Sequence, residues 1–166
     1  MISPDIQRSR IKYWRKNIGT GEECLKYTKE VLAWVKANKI TTLLDYGSGK
    51  GLQYEKDFAK YIGVKRENID LYDIGSIAHG KLPMAIYEGV IAINVFDLIP
   101  DDFIEFDLIE LFRRTEHVFA IVPLTDRSIE WWDEVFCSFK NNSLVIYTKG
   151  NKIVEKRIYY GNSRIG

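Results

Sequence analysis

A glycine-rich segment in the first third of the chain has the residue types that bind nucleotide-like ligands. The apolar run 40–44 leads to Asp45 and then to three glycines at alternate positions, Gly47, Gly49 and Gly51. Glycine permits φ values that a Cβ would forbid, and it allows a ligand to approach the main chain closely. The pattern predicts a buried parallel strand that turns into a helix and leaves backbone N–H groups open to a ligand.

The residues around this turn distinguish three kinds of nucleotide-binding loop. A phosphate loop needs a hydroxyl residue after its lysine, but Gly51 follows Lys50. A dinucleotide fingerprint that begins at Gly47 needs glycine or alanine at position 52, where this chain has Leu52. The pattern that remains is acidic-x-G-x-G-x-G, which disfavours a nicotinamide-dependent oxidoreductase.

With this pattern the chain resembles the class I S-adenosylmethionine-dependent methyltransferases. The segments LLDYGSGKGLQY, YDIG and YEGVIAINVFDLIP are similar to those of small methyltransferase-like proteins of phages and bacteria. The similar region runs from about Tyr13 to Pro123. The resemblance implies an S-adenosylmethionine cofactor, a methyl acceptor that the sequence does not identify, and a Rossmann-like α/β sheet.

The resemblance and the predicted strand ends together indicate the cofactor-binding residues. Asp45 is expected to hold the cofactor ammonium, with a cap on the following turn as the alternative, and the glycines are expected to pass beside the amino-acid part. Asp73 ends the predicted second strand and is expected to accept hydrogen bonds from the ribose hydroxyls, whereas Asp70 would point away. The other predicted cofactor contacts are Tyr46, Ser48, Ile74, Asn94, Val95 and Phe96.

The segment after Val95 is where the resemblance places the methyl group. The family often has acidic-V-L-E-H-I-P there, but this chain has Asp97 in place of the glutamate and Leu98 in place of the histidine. Asp97 is therefore the candidate catalytic residue, without its usual polar neighbour. Trp131 and Trp132 are predicted either to form part of an acceptor pocket or to pack in the core.

The order of predicted elements indicates the fold class. Helices are predicted at 22–37, 52–62, 101–114 and 128–136, and strands at 40–46, 69–72, 89–95, 117–122, 143–148 and 153–160. The stretch between Asp73 and Tyr87 is too short for the helix and third strand of a full unit, so this region is expected to be reduced. The last two strands form a hairpin. The sequence thus predicts one Rossmann-like α/β domain over 1–166, mostly parallel, with a C-terminal antiparallel hairpin.

Composition narrows the classes of function. The net charge of +1 provides no overall field that would attract nucleic acid, and the lack of an N-P-P-Y motif disfavours DNA adenine methylation. No apolar run approaches the roughly 20 residues of a membrane span. Cys24 and Cys137 lack metal-ligand spacing, so we predict no metal site and expect two buried, reduced thiols in a cytoplasmic protein.

A basic, aromatic segment near the N-terminus has three interpretations. Its side chains are Arg8, Arg10, Lys12, Tyr13, Trp14, Arg15 and Lys16. They could form the solvated face of a helix, a lid over the cofactor within residues 1–21, or a patch for a nucleic-acid backbone.

The leading hypothesis is a methyltransferase that acts on a small molecule or an exposed side chain. The alternative is a cofactor-binding domain without transfer activity, serving as a subunit or regulator. The reduced third-strand region and the short stretch between Pro123 and Ser143 favour this alternative, because acceptor sites usually need inserted loops.

Overall fold

A six-stranded sheet forms the centre of the protein. The computed structural model describes residues 2–161. The strands are β1 (Leu43–Tyr46), β2 (Ile69–Tyr72), β3 (Tyr87–Ile93), β4 (Thr115–Pro123), β5 (Asn142–Lys149) and β6 (Lys152–Tyr159). Their order in the sheet is β2-β1-β3-β4-β5-β6. The first five strands are parallel and β6 is antiparallel to β5. This confirms the predicted mostly parallel α/β sheet and its C-terminal hairpin, which are compatible with a Rossmann-like fold.

Helices cover both faces of the sheet. They are α1 (Pro4–Asn17), α2 (Thr28–Asn38), α3 (Phe58–Ile62), α4 (Asp101–Phe112) and α5 (Ile129–Ser138). Successive side chains of a strand point to opposite faces, so Leu43 packs with α2 and α3 whereas Leu44 packs with α4 and α5. Both leucines are fully buried, and burial of such a side chain contributes about 1.5–3 kcal/mol.

The region between β2 and β3 contains no strand, as the sequence predicted. Residues 73–86 form turns and irregular structure, so β2 is an edge strand. Helix α1 lies against this segment. The two are so close that a Cβ on Gly75 would be 2.5 Å from the carbonyl oxygen of Trp14.

Two predicted helices are shorter than expected. The segment Glu22–Tyr27 is a 3₁₀ helix, and α2 begins only at Thr28. The predicted helix 52–62 is interrupted at Asp57, whose φ is 62°. The left-handed backbone conformation of Asp57 changes the direction of the chain. A single apolar helix face with a period of 3.6 residues therefore does not continue through the segment. Tyr61 of α3 is 53% exposed, whereas Phe58 and Ile62 are fully buried.

The two cysteines have different environments. Both are free, but Cys24 is buried and Cys137 is exposed. The prediction of two buried thiols is wrong for Cys137, because it lies on the side of α5 that faces away from the core formed by Trp132 and Phe136. Within residues 2–161, no helix is both long enough and apolar enough to cross a membrane.

Candidate functional site

The glycine turn that follows β1 has the backbone conformation expected from its sequence. The φ angles of Gly47, Gly49 and Gly51 are 78°, 60° and 76°, in the left-handed region that favours glycine. A Cβ on Gly49 would also lie 2.5 Å from the carbonyl oxygen of Gly19. The close approach that glycine allows here is therefore to the segment after α1, which belongs to the protein itself.

The backbone N–H groups of this turn are used within the protein, so the prediction that they are open to a ligand is wrong. The segment after α1 lies along the turn and supplies carbonyl acceptors to it. The bonds run from Gly47 and Ser48 to Tyr72 O (2.7 and 3.0 Å), from Lys50 to Gly19 O (2.9 Å), from Gly51 to Ser48 O (3.2 Å) and from Leu52 to Thr20 O (3.1 Å). The Gly49 N–H donates to Oδ2 of Asp73 at 2.9 Å. The turn thus has no N–H group left for an anion.

A cavity of about 300 Å³ lies at the carboxyl ends of β1, β2 and β3, where ligands bind in open α/β sheets. Eight of the predicted cofactor-binding residues line it: Asp45, Tyr46, Gly47, Gly49, Asp73, Ile74, Asn94 and Val95. The fold therefore brings together most of the residues that the sequence pattern indicated.

Four predicted site residues do not line this cavity. Ser48 and Phe96 are buried, and Phe96 packs on Trp132 within an aromatic cluster. Gly51 lies against Leu71, since a Cβ there would be 2.9 Å from Cδ1 of that leucine. Asp97 lines a different cavity.

Asp45 places a buried carboxylate on the cavity wall. It is 4% exposed, and its Oδ2 accepts hydrogen bonds from the hydroxyl of Tyr54 (2.6 Å) and from Nε2 of Gln53 (3.0 Å). Burial raises the pKa of Asp45 from 3.8 to about 6, although these two hydrogen bonds act in the opposite direction. Asp45 therefore does not cap the glycine turn, and a cation in the cavity would stabilise its charged form.

Asp73 connects the glycine turn to the segment after β2. Besides the bond from Gly49, its Oδ1 accepts a hydrogen bond from the N–H of Gly75 at 2.8 Å. Each carboxylate oxygen can accept more than one hydrogen bond, so capacity remains for a ligand hydroxyl. Asp70 is exposed, bonds to the hydroxyl of Tyr87 and does not line the cavity.

Glu23 is a third carboxylate on this cavity, and sequence reasoning missed it. Its Oε2 accepts a hydrogen bond from Nδ2 of Asn94 at 2.8 Å. Asn94 has a φ of 57°, a conformation that asparagine tolerates better than most residues. Its Oδ1 is buried and has no hydrogen-bond partner in the described part of the chain. No sequence pattern indicated Glu23, since it lies in the 3₁₀ helix Glu22–Tyr27, 71 positions from its partner.

Helix α1 closes one side of the cavity with Arg10 and Trp14. The Arg10 side chain is 9% exposed and forms an ion pair with Asp107 of α4. Its guanidinium also lies 4.3 Å from the ring centroid of Phe103, while its Nε is buried without a partner among residues 2–161. Arg10 is thus not on a solvated helix face, whereas the other basic residues of α1 are exposed: Arg8, Lys12, Arg15 and Lys16.

A second cavity of about 320 Å³ adjoins the first. Leu98 and Ile99 line both cavities. Asp97 and Trp132 are on the wall of the second one, and burial raises the pKa of Asp97 to about 6. Trp131 lies beside them, 4.7 Å from the guanidinium of Arg127. The candidate catalytic residue therefore faces a space next to the predicted cofactor cavity.

Residues 2–161 contain no group of three or more histidine, cysteine, aspartate or glutamate side chains that could hold a metal ion. Comparisons with protein-family models, with curated proteins and with solved structures found no match to this chain. The fold and the site define an α/β protein with an acidic cavity at the carboxyl ends of its parallel strands.

Proposed function

We propose that this chain is a cytosolic S-adenosylmethionine-dependent methyltransferase that acts on a small molecule or an exposed side chain. The observation that supports it best is the chemistry of the first cavity. Glu23, Asp45 and Asp73 place three carboxylates on its wall. S-adenosylmethionine has a sulfonium and an ammonium group, and its ribose hydroxyls are hydrogen-bond donors. These groups are complementary to carboxylates.

The same cavity is poorly suited to a dinucleotide. A diphosphate needs backbone N–H groups or unpaired cations, but every N–H of the glycine turn has an acceptor within the protein. Arg10 is the one basic side chain among the described residues of the wall, and Asp107 neutralises it. We therefore favour a cationic nucleoside over NAD.

Methyl transfer requires little acid–base chemistry from the protein. The sulfonium already activates the methyl group, so the enzyme mainly has to align an acceptor and exclude water. Helix α1 supports this role because Arg10 and Trp14 cover the cavity.

Calorimetry with S-adenosylmethionine, S-adenosylhomocysteine and NAD tests the choice of cofactor. We expect both adenosyl ligands to bind and NAD to bind much more weakly. Tighter binding of NAD would contradict the proposal. Asp70→Ala is a suitable control variant, since this exposed carboxylate is outside the cavity and its loss is expected to leave the affinities unchanged.

The alternative is a binding domain without transfer activity, acting as a subunit or regulator. It is supported by the position of Asp97, which does not line the first cavity. The carboxylates that do line it already hold protein groups: Asp45 binds Tyr54, and Asp73 binds the glycine turn.

A further inference from the structure

The outer side of α4 has an apolar patch at its centre. The side of this helix that packs on the sheet is buried through five apolar side chains: Phe103, Ile104, Leu108, Leu111 and Phe112. On the outer side, Phe106 is 52% exposed and Ile109 is 39% exposed. Residues three positions apart are neighbours on a helix surface, so these two side chains lie next to each other in contact with solvent.

A charged residue of opposite sign lies at each end of this patch. Asp102 precedes Phe106 by four positions, and Arg113 follows Ile109 by four positions. Both charged residues are exposed. The four residues are therefore spaced by four, three and four positions, which is the spacing of the contact seam between two packed helices. We refer to Asp102, Phe106, Ile109 and Arg113 as the α4 seam.

The α4 seam is complementary to a reversed copy of itself. When two copies of α4 pack antiparallel about a two-fold axis at the middle of the seam, Phe106 of each copy lies opposite Ile109 of the other. The same rotation brings Asp102 opposite Arg113 at both ends. A parallel packing would instead place the two Asp102 side chains together, and like charges oppose association.

Arg113 is able to change its partner without leaving a charge unpaired. Within one chain it lies 3.0 Å from Oε1 of Glu110, and its side chain is 62% exposed. Exposed ion pairs of this kind contribute little to stability. Glu110 also pairs with Arg114 at 3.3 Å. It therefore keeps a counterion when Arg113 turns to Asp102 of a second copy.

The charge pattern indicates which partner fits the α4 seam. A nucleic acid or an anionic lipid surface would need an excess of basic side chains, but the seam has one charge of each sign. The neighbouring Glu105 is exposed and can keep its hydration beside the seam. A second copy of this chain matches both charges and both apolar side chains at once.

We propose that the α4 seam is the interface of a weak antiparallel homodimer of this chain. The inference does not rest on the proposed function, because it involves no ligand. A contact through one helix of each copy is at the small end of specific interfaces, so we expect a dissociation constant of roughly 100 µM. Well below that concentration the protein is a monomer and the seam faces solvent.

Sedimentation velocity between about 10 µM and about 1 mM tests the dimer, since this range spans the expected dissociation constant. We expect the sedimentation coefficient of the wild type to rise toward that of a dimer. Phe106→Ser should weaken association about tenfold or more, because it removes the largest side chain of the seam. The matched control is Tyr61→Ser, which removes a ring of similar exposure (53%) from α3 on the other face of the sheet. It should not weaken association.

Charge variants test the antiparallel register. Asp102→Arg and Arg113→Asp should each weaken self-association about fivefold or more, because like charges then meet at both ends of the seam. An equimolar mixture of the two variants should associate as strongly as the wild type, since every charge of the seam in the mixed dimer faces one of opposite sign. Circular dichroism verifies that both variants are folded, and Phe106→Ser provides the test that does not depend on them.

Three results would overturn this interface. The first is a wild type that stays monomeric up to about 1 mM, well above the expected dissociation constant. The second is a dimer that Phe106→Ser leaves unchanged. The third is a mixture of the folded charge variants that associates no better than either variant alone. Ligand binding in the first cavity is measured separately by calorimetry and does not decide among these results.

Discussion

Two polar side chains on the wall of the first cavity are buried at a free-energy cost that a cationic ligand would reduce. Asp45 is buried with a raised pKa, and Oδ1 of Asn94 is buried without a partner in the described structure. Such groups reduce the stability of a protein when its site is empty. They are typical of binding sites, where the ligand compensates for the cost.

Asp45→Asn is expected to stabilise the ligand-free protein at neutral pH. Because the folded-state pKa of Asp45 is about 6 and its ordinary value is 3.8, the folded state binds more protons between these values. Stability from this group is therefore highest below about pH 4, falls as pH rises, and is lost above about pH 6, at a cost of roughly 3 kcal/mol. The asparagine oxygen can still accept hydrogen bonds from Tyr54 and Gln53.

Denaturant unfolding at about pH 5 and about pH 7.5 measures this difference. The variant should gain stability at the higher pH and depend less on pH than the wild type, while binding S-adenosylmethionine more weakly. Asp102→Asn at an exposed position in the first turn of α4 is the control; it should leave the affinity unchanged and lower the stability by no more than about 1 kcal/mol, through the loss of a charge at the helix N-terminus. A variant less stable than the wild type at the higher pH would show that burial does not penalise the charged form of Asp45.

At the level of elements, the site depends on the contact between the glycine turn and the segment that follows α1. The carbonyl oxygens of Gly19 and Thr20 accept hydrogen bonds from the N–H groups of Lys50 and Leu52. This contact fixes the turn and consumes donors that an anion would need. The lack of free N–H donors in the glycine turn thus follows from how these two loops pack.

Gly49→Val should destabilise the protein and abolish cofactor binding, and Gly49→Ala should have a smaller effect on both. Even the alanine Cβ would lie 2.5 Å from the carbonyl oxygen of Gly19, at a φ of 60°, so we expect it to cost about 1–3 kcal/mol. Thermal unfolding and calorimetry measure the two effects. The matched control is Gly19→Ala, whose Cβ would meet no atom within 4 Å. Wild-type affinity in Gly49→Val would place the binding site elsewhere.

Local sequence patterns predicted the elements but not the contacts between them. The alternate glycines predicted the positive φ angles of the turn, because only backbone geometry is involved. The acidic residue after β2 was correctly oriented by strand alternation. By contrast, the partners of Arg10 and Asn94 are 97 and 71 positions away. No periodicity reports such distances, so the sequence left three interpretations open for the segment of α1 and did not indicate the contact of Glu23 with Asn94.

At the scale of the whole molecule, charge is distributed unevenly. The net charge is only +1, yet both cavities have acidic walls, and basic residues of α1 such as Arg8 and Lys12 are exposed on the outside. A small net charge therefore does not describe the potential that a ligand meets inside a cavity.

Transfer of a labelled methyl group distinguishes an enzyme from a binding domain. Arg10→Lys should loosen α1, because lysine replaces neither the bidentate pair with Asp107 nor the contact with Phe103. We expect this variant to lose turnover more than cofactor affinity, because a lid excludes water and positions the acceptor. The exposed Arg8→Lys is the control.

Mass spectrometry of cell extracts incubated with labelled S-adenosylmethionine provides the readout, and calorimetry provides the affinities. Labelled product from the wild type and less from Arg10→Lys would support the enzyme. If the wild type binds the cofactor but yields no labelled product with any extract, the non-catalytic domain becomes the better description.

The pairing of Arg10 with Asp107 has a consequence for the order in which the protein assembles. During synthesis α1 emerges first, but its partner residue follows 97 positions later. Until α4 has been made and has docked on the sheet, α1 has no carboxylate with which to pair and no Phe103 ring on which to lie. The strands and the glycine turn can form earlier, from contacts closer in sequence. The cavity therefore gains its complete cover late, and nascent chains that end before residue 101 should hold the first helix only through its contact with the segment after β2.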